Sequence, residues 1–353
     1  MKVFQQSDPY GSYLRDLGIF RPETGHKLST TQNVRHLTMT EVEKFTEIVP
    51  EEMMGKRLDF AATELFPGYS RSRIQAWIKS GALTLDGEPS RPKEKVLGGE
   101  TLVLLAEHEE QGDWEAEEMP LDIVFEDEQI LVINKPAGLV VHPGAGNRSG
   151  TLLNGLLFHC PDLIHVPRAG IVHRLDKDTT GLMVVAKTLE AHADLVAQLQ
   201  ERTVSREYEA VTAGVMTGGG KVETMMGRHP RQRQKMAVLE FGGKEAITHY
   251  RVIKRYPNHT HIRVKLETGR THQIRVHMAH VGYALVGDFT YAGRMKIPKN
   301  ASAEQLDLLK NFGRQALHAA QLGLIHPMTG EYLEFQAERP DDMKLLLRVL
   351  AQK

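Results

Sequence analysis

The stretch that decides the reading is Arg168–Lys187, RAGIVHRLDKDTTGLMVVAK. Two apolar runs, Ala169–Val172 and Leu182–Ala186, flank a polar segment that ends in Asp178, Thr179, Thr180 and Gly181. Short runs rich in Val and Ile, bounded by turn residues, predict two buried strands joined by a loop. That loop carries His173, Arg174, Asp176, Lys177 and Asp178. A connection between core strands does not need so many ionisable groups, and loops held by rigid strands are where catalytic side chains collect. The plainer reading is a charged, solvated turn in which Asp178 and Thr179 bond nearby backbone amides. We adopt it for Asp178. Arg174 and Asp176, at the start of the loop, are read as candidates for chemistry.

A chain of 353 residues has room for two domains with proper cores. Its 41% hydrophobic and 25% charged content is that of an ordinary globular protein. The single cysteine, Cys160, excludes an intrachain disulfide and a Cys-based zinc site, and fits a reducing compartment. The opening MKVFQQSDPYGS lacks the basic start and apolar centre of a signal peptide. No apolar run approaches the ~18 residues a membrane span needs. A cytoplasmic protein with no membrane association is expected.

The formal net charge of −1 argues superficially against a nucleic-acid partner. Its distribution argues the other way. Residues 107–128 hold 11 acidic residues and no Lys or Arg, which leaves the rest of the chain at +10. From Gln129 to His280 there are 21 Lys and Arg against 12 Asp and Glu. A neutral total can therefore hide a basic working surface of the kind phosphate contacts require.

Residues 1–45 show no sustained period and mix Gly, Pro, Ser, Thr and Asn, so they are read as a flexible extension. Residues 55–105 read as a small α+β unit. Arg57–Phe66 places Leu58, Ala61, Ala62 and Leu65 at helical spacing, and Ser70–Ile78 opens with an N-cap serine before Ile74, Trp77 and Ile78. Strands are expected within Gly81–Gly87 and at Thr101–Leu105. Arg71, Arg73, Lys79, Arg91, Lys93 and Lys95 fall on and after the second helix. Residues 106–119 read as an acidic, solvated linker.

A larger unit follows over 120–353. Gln129–Asn134 predicts a buried strand, Lys135–Gly138 a turn, and Thr151–His159 a helix. Leu189–Arg202 has helical spacing, whereas Ser205–Val215 alternates like a strand with Tyr208, Ala210 and Thr212 on one face. Arg228–Lys235, RHPRQRQK, reads as a mobile basic loop led by Arg228, Arg231 and Arg233. Ile262–Glu267 predicts a strand and Thr271–His280 a helix, and two last strands are joined by Met328–Gly330. His261, His272, His277 and His280 form no HExxH pattern and have no Cys or carboxylate companions, so a metal site is rejected. The glycines after Lys135 match neither a GxxxxGK[ST] nor a strand–GxGxxG–helix pattern, so no nucleotide cofactor is expected.

HRLDKDTTGL resembles the signature of the RluA/RluD-type pseudouridine synthases, and the longer RAGIVHRLDKDTTGLMVVAKT is most similar to the RluD branch, the large-subunit ribosomal RNA enzymes. INKPAGLVVHPGAGN and LETGRTHQIRVHMAH resemble two further motifs of that family, and similarity runs through most of Gly55–Met343. The 55–105 unit resembles the S4 RNA-binding domain. The resemblance implies an α+β chain: a small S4-like domain, then a catalytic domain on a mixed, largely antiparallel sheet flanked by helices and loops. It also implies isomerisation of uridine to pseudouridine in large-subunit (23S) ribosomal RNA or its precursor, most specifically in the stem-loop known as helix 69. In that reaction the N1–C1′ bond breaks, the uracil turns, and it rejoins through C5, with no redox equivalents, metal or cofactor. The target base must leave its stack.

By the same resemblance Asp176 is the catalytic carboxylate and Arg275 its basic partner. Tyr208 stacks on the uracil, Leu266 lines the pocket, and Arg174 fills the space the base vacates. Arg71 and Arg73 would position the S4-like unit on phosphates, with Arg228, Arg231 and Arg233 gripping an RNA stem. The alternative is a non-catalytic S4-type RNA-binding or ribosome-assembly protein, which has no reason to keep Asp176, Tyr208 and Arg275 together. A kinase-like HRD reading of His173–Asp176 fails on the inserted Leu175 and the missing DFG and Gly-rich loop. With no apolar helix face left over, a monomer is expected.

Overall fold

Helical spacing of Leu58, Ala61 and Ala62, and of Ile74, Trp77 and Ile78, buries one stripe of each of two short helices. The computed structural model describes residues 42–66, 69, 71–107, 114–144, 146–293 and 300–352. They form two units divided between Glu107 and His108. The first contains β1 (Val42–Ile48), α1 (Leu58–Leu65), α2 (Arg71–Ser80), β2 (Leu83–Leu85), β3 (Glu88–Pro89) and β4 (Thr101–Glu107), in an antiparallel sheet of order β1-β4-β2-β3. β1 begins at Val42, inside the stretch read as an extension. Of its residues Phe45 packs against this unit's core, so the alternation is too faint to see, and the ladder to β4 makes the strand. Residues 1–41 and the proposed cap Ser70 lie outside the described residues.

The second unit runs β5 (Ile123–Glu126), β6 (Ile130–Lys135), α3 (Leu152–His159), β7 (Thr180–Ala186), α4 (Leu189–Gln200), β8 (Ser205–Ala213), β9 (Gly220–Arg228), β10 (Met236–Leu239), β11 (Lys244–Arg255), β12 (His259–Leu266), α5 (Gln273–His280), α6 (Ala303–Asn311), β13 (Leu317–Ile325), β14 (Tyr332–Gln336) and α7 (Asp341–Leu350). Its sheet has the order β10-β9-β11-β12-β8-β13-β7-β6-β5, with β14 also on β13. β13 and β7 are parallel and the other described pairings antiparallel, which is the mixed, largely antiparallel sheet expected. β6 and β7 are covered on both faces. Leu131, Ile133, Met183 and Val185 meet Leu152, Leu153 and Leu156 of α3, while Ile130, Val132, Leu182 and Val184 meet Ala191 and Leu195 of α4. Two-sided burial explains why these strands read as continuous apolar runs.

Two expectations need correction. Ala169–Val172 is not a strand: Arg168, Ala169 and Gly170 all have left-handed φ (55°, 50° and 75°), and Ile171 makes a lone bridge to Val185. A Cβ on Gly170 would lie 1.9 Å from the Ala186 carbonyl oxygen, so the run is pressed sideways onto β7. It is apolar because it is buried, not because it is extended. Nor is all of 106–119 a solvated linker. β4 runs to Glu107, residues 108–113 lie outside the described residues, and Trp114 packs on the main core. The Glu117 carboxylate accepts the Gly150 N–H, and Asn154 Nδ2 donates to the Glu115 carbonyl. The Glu117 carboxylate thus faces the backbone just ahead of α3. No described helix is long and apolar enough to cross a membrane.

Candidate active site

Asp176 stands in the loop that enters β7, between buried Leu175 and the Lys177–Asp178 turn. Arg275, on the first turn of α5, reaches it: Nη1 donates to Asp176 Oδ2 at 2.9 Å. The guanidinium is held from behind by Asp288, whose carboxylate is fully buried and accepts Nε at 2.7 Å and Nη2 at 2.9 Å. Asp288 Oδ1 also takes the backbone N–H groups of Thr290 and Tyr291, so four donors converge on it. Burial acts to lower the pKa of Arg275, but the carboxylates of Asp288 and Asp176 outweigh it and raise it, keeping the charge fixed. The Tyr291 ring lies 5.1 Å from the guanidinium carbon.

Asp176, Arg275, Arg174, Tyr208 and Leu266 line one cleft of about 1010 Å³. That is at the upper end of the ~300–1,000 Å³ of small-molecule pockets, roomy enough for one nucleotide with flanking backbone. Tyr208 comes from β8 in the middle of the sheet, paired with Val264 and Ala319, and burial raises its pKa. Leu266 ends β12, and Arg174 is exposed at the rim. The three side chains at the centre thus come from β8, α5 and a loop, far apart in sequence.

Over residues 129–280 the sequence matches the family described as RNA pseudouridylate synthase, and over 56–102 the S4 domain. Ribosomal large subunit pseudouridine synthase D of Pseudomonas aeruginosa is 60% identical over 304 residues, 86% of this chain and 95% of that protein. The chain belongs to the RNA pseudouridine synthase family. The protein of the same description from Haemophilus influenzae is 55% identical over 313 residues, 88% of this chain and 96% of its own length. Human RNA Pseudouridylate Synthase Domain Containing 4 shares the fold with a TM-score of 0.50 at 27% identity, over 65% of this chain and 92% of that one. This pseudouridine synthase is therefore an enzyme of the isomerase class with an S4 domain, which sets aside the non-catalytic alternative.

Other residues of the synthase hold the Asp176 loop and were not singled out from the sequence. Lys135, read as part of a turn, is 1% exposed, and its ammonium donates to the carbonyls of Pro136, Leu139 and Lys177. Burial pushes its pKa down to about 8, with the Asp178 and Asp176 charges opposing. Three carbonyls for three ammonium protons keep it charged at neutral pH. His173 turns inward: its Nε2 accepts the Val184 N–H, and burial pushes its pKa down to about 3. Arg314 donates Nη1 to the Asp178 carbonyl while Asp342 of α7 grips its Nε and Nη2. Asp178 thus anchors the loop through its backbone carbonyl.

The remaining candidates sit elsewhere. Arg228 ends β9, and Arg231 and Arg233 occupy the β9–β10 turn, which hydrogen bonds tie down: His229 N–H donates to the Lys235 carbonyl, and Lys235 Nζ to that of Thr290. In the S4 unit Arg71 is half exposed and shares the buried Asp59 carboxylate with Arg57 and Gln75. Burial would raise the pKa of Asp59, but those donors hold it well below the usual carboxylate range. The Arg73 guanidinium lies over the Trp77 ring at 4.9 Å. Three of the four histidines have separate surroundings: His261 donates to Glu209, His277 faces Thr224 and Thr248, and His272 faces Tyr291 and Asp176.

Proposed function

We propose that this enzyme isomerises uridines to pseudouridine in large-subunit ribosomal RNA, with Asp176 as the carboxylate that acts on the target nucleotide. The observation that carries the role is the Asp176–Arg275–Asp288 chain opening into a nucleotide-sized cleft. Arg275 holds Oδ2 in place and leaves Oδ1 free of that bond, so the carboxylate meets the flipped nucleotide oriented. The N1–C1′ bond breaks, the uracil turns within the cleft, and C5 bonds to C1′. The C5 proton departs and N1 regains one. Tyr208 stacks on the ring, Leu266 walls it, and Arg174 fills the stack the base has left.

The relatives described as acting on the ribosomal large subunit support that RNA as substrate, and the helix 69 stem-loop is the target we assign. Arg228, Arg231 and Arg233 would contact backbone phosphates, and the exposed part of Arg71, with Arg73, those under the S4 domain. The reaction is intramolecular and redox-neutral, which supports an enzyme working without metal or nucleotide cofactor, and the single cysteine fits the cytoplasm. Carbodiimide labelling and primer extension on cellular RNA, with and without the gene, test the reading. Signals lost in helix 69 support it in full. Loss elsewhere moves the substrate, and an unchanged pattern overturns the ribosomal assignment.

A further inference from the structure

The cleft holds a side chain that the reaction scheme above leaves idle. His272 directs Nε2 toward Asp176 Oδ1 at 3.8 Å, on the oxygen that Arg275 leaves alone. Its other ring nitrogen, Nδ1, lies 2.7 Å from Tyr291 Oη. That phenol oxygen accepts the Met236 N–H at 3.0 Å, and donating its own proton to His272 Nδ1 satisfies both groups. An imidazole accepting at Nδ1 carries its proton on Nε2. Tyr291 thereby fixes both the tautomer and the ring, whose planes cross at 75° with centroids 5.7 Å apart. His272 also sits at φ 56° immediately before α5, a left-handed conformation uncommon outside glycine. Such strain persists where the surroundings over-determine it, and it gathers at functional sites.

We propose that His272 is a further positioning residue: its Nε2–H, aimed by Tyr291, sets the orientation of Asp176 Oδ1 as the cleft closes on the nucleotide. This rests on the assignment of Asp176 as the reacting carboxylate. A distance of 3.8 Å is too long for a hydrogen bond and short enough to become one with a small side-chain rotation. Catalytic bonds are commonly long in the free enzyme and tighten when substrate is bound. Arg275 on Oδ2 and His272 on Oδ1 then fix the carboxylate at both ends. A neutral donor on the reacting oxygen orients it without adding a second cation. Arg174, Arg275 and Asp288 complete the charged surroundings of the ring.

The test uses two isosteres with opposite geometry. His272→Gln places an amide N–H where Nε2–H stood, whereas His272→Asn keeps a group near Nδ1 and loses the donor toward Asp176. Asn is also the side chain that tolerates left-handed φ best, so backbone strain cannot explain a loss in that variant. Full-length proteins are assayed by tritium release from [5-³H]uridine large-subunit RNA, with RNA affinity and thermal midpoint measured alongside. The expected result is kcat lowered about tenfold or more in His272→Asn, with Kd for RNA within about twofold, and kcat in His272→Gln within about threefold of the parent. Tyr291→Phe should lower kcat in the parent and have no further effect on His272→Gln, because an amide has no tautomer to fix. Equal kcat in the Asn and Gln variants, or a loss confined to KM, overturns the proposal. Asp176→Asn run in parallel separates the two levels: activity there refutes the assignment of Asp176 itself, whatever His272 does.

Discussion

Asp288→Asn is the most informative change near the site, because the residue touches no substrate yet four donors depend on it. Its carboxylate is fully buried and accepts Arg275 Nε at 2.7 Å, Arg275 Nη2 at 2.9 Å, and the N–H groups of Thr290 and Tyr291 at 3.0 and 3.2 Å. An amide offers one oxygen in place of two, and its NH2 must face either the guanidinium or the loop amides. Oδ1 takes three of the four bonds and Oδ2 one, so the amide loses either the Nε bond or the other three, and the 8%-exposed guanidinium keeps Asp176 as its carboxylate partner. Removing one member of a buried ion pair costs about 3–5 kcal/mol, more than charge-assisted bonds of ~1.5–3 kcal/mol each would suggest singly, because the other charge stays buried. For a unit of this size that is a fall of roughly 6–20 °C in its melting transition. Arg275 would also close on Asp176, so kcat should drop ~100-fold even at temperatures where the protein is folded. Urea or thermal unfolding of the catalytic unit and tritium release at 20 °C below the transition measure the two effects. A transition within about 1 kcal/mol of the parent, with kcat unchanged, refutes the reasoning.

Lys135→Met leaves the Pro136, Leu139 and Lys177 carbonyls without their donor; at ~1–3 kcal/mol each, offset by no longer burying an ammonium, the net loss should be about 2–4 kcal/mol, readable in urea midpoints, and kcat should fall with it. Glu209 is 6% exposed, and although burial would raise its pKa, His261 and Arg339 hold it at about 2. A carboxyl depressed from an unfolded value of ~4.3 contributes about 3 kcal/mol that is fully present above that value and lost as pH falls toward 2. Unfolding free energy measured from pH 5 to 2 should therefore decline less steeply in Glu209→Gln than in the parent; equal slopes contradict the pairing. Replacing Arg228, Arg231 and Arg233 together by Ala should raise KM at physiological salt with kcat within about twofold, and reduce the slope of log Kd against log salt by about 2–3; an unchanged slope removes that turn from the RNA interface.

Much of the architecture was legible because burial writes itself into the sequence. Leu182–Ala186 and Gln129–Asn134 lie within or against strands covered on both faces, and Leu58, Ala61 and Ala62 form the helical stripe their spacing implied. The same signal misled at Ala169–Val172, where apolar character reports contact with β7 and the backbone is bent by three left-handed residues. β1 escaped notice because Phe45 is its clearest inward anchor. Trp114–Met119 looked like a tether because charge alone does not say whether a carboxylate faces water or the amide of Gly150. At the site, Arg174 and Asp176 stood out as ionisable groups crowding one loop, Arg275, Tyr208 and Leu266 entered through motif resemblance, and the structure brings all five to one cleft. Asp288, Lys135, His272 and Arg314 were missed for a shared reason. Each acts through partners far away in sequence, Arg275, the Lys177 carbonyl, Tyr291 and the Asp178 carbonyl, and no local pattern encodes such pairings. A Gly-Asp at 287–288 and a lysine closing a buried strand were the faint signals available.

The decisive experiment is a single-turnover comparison of the parent enzyme with Asp176→Asn on large-subunit ribosomal RNA carrying [5-³H]uridine, with RNA affinity measured on the same preparations. Asn fits the space of Asp176 and can still accept a bond from Arg275, so folding and binding should persist. The expected result is tritium release abolished in the variant with Kd within a few-fold of the parent. Release at a substantial fraction of the parental rate, from a preparation verified free of parent enzyme, would contradict the role assigned to this carboxylate and the mechanism built on it.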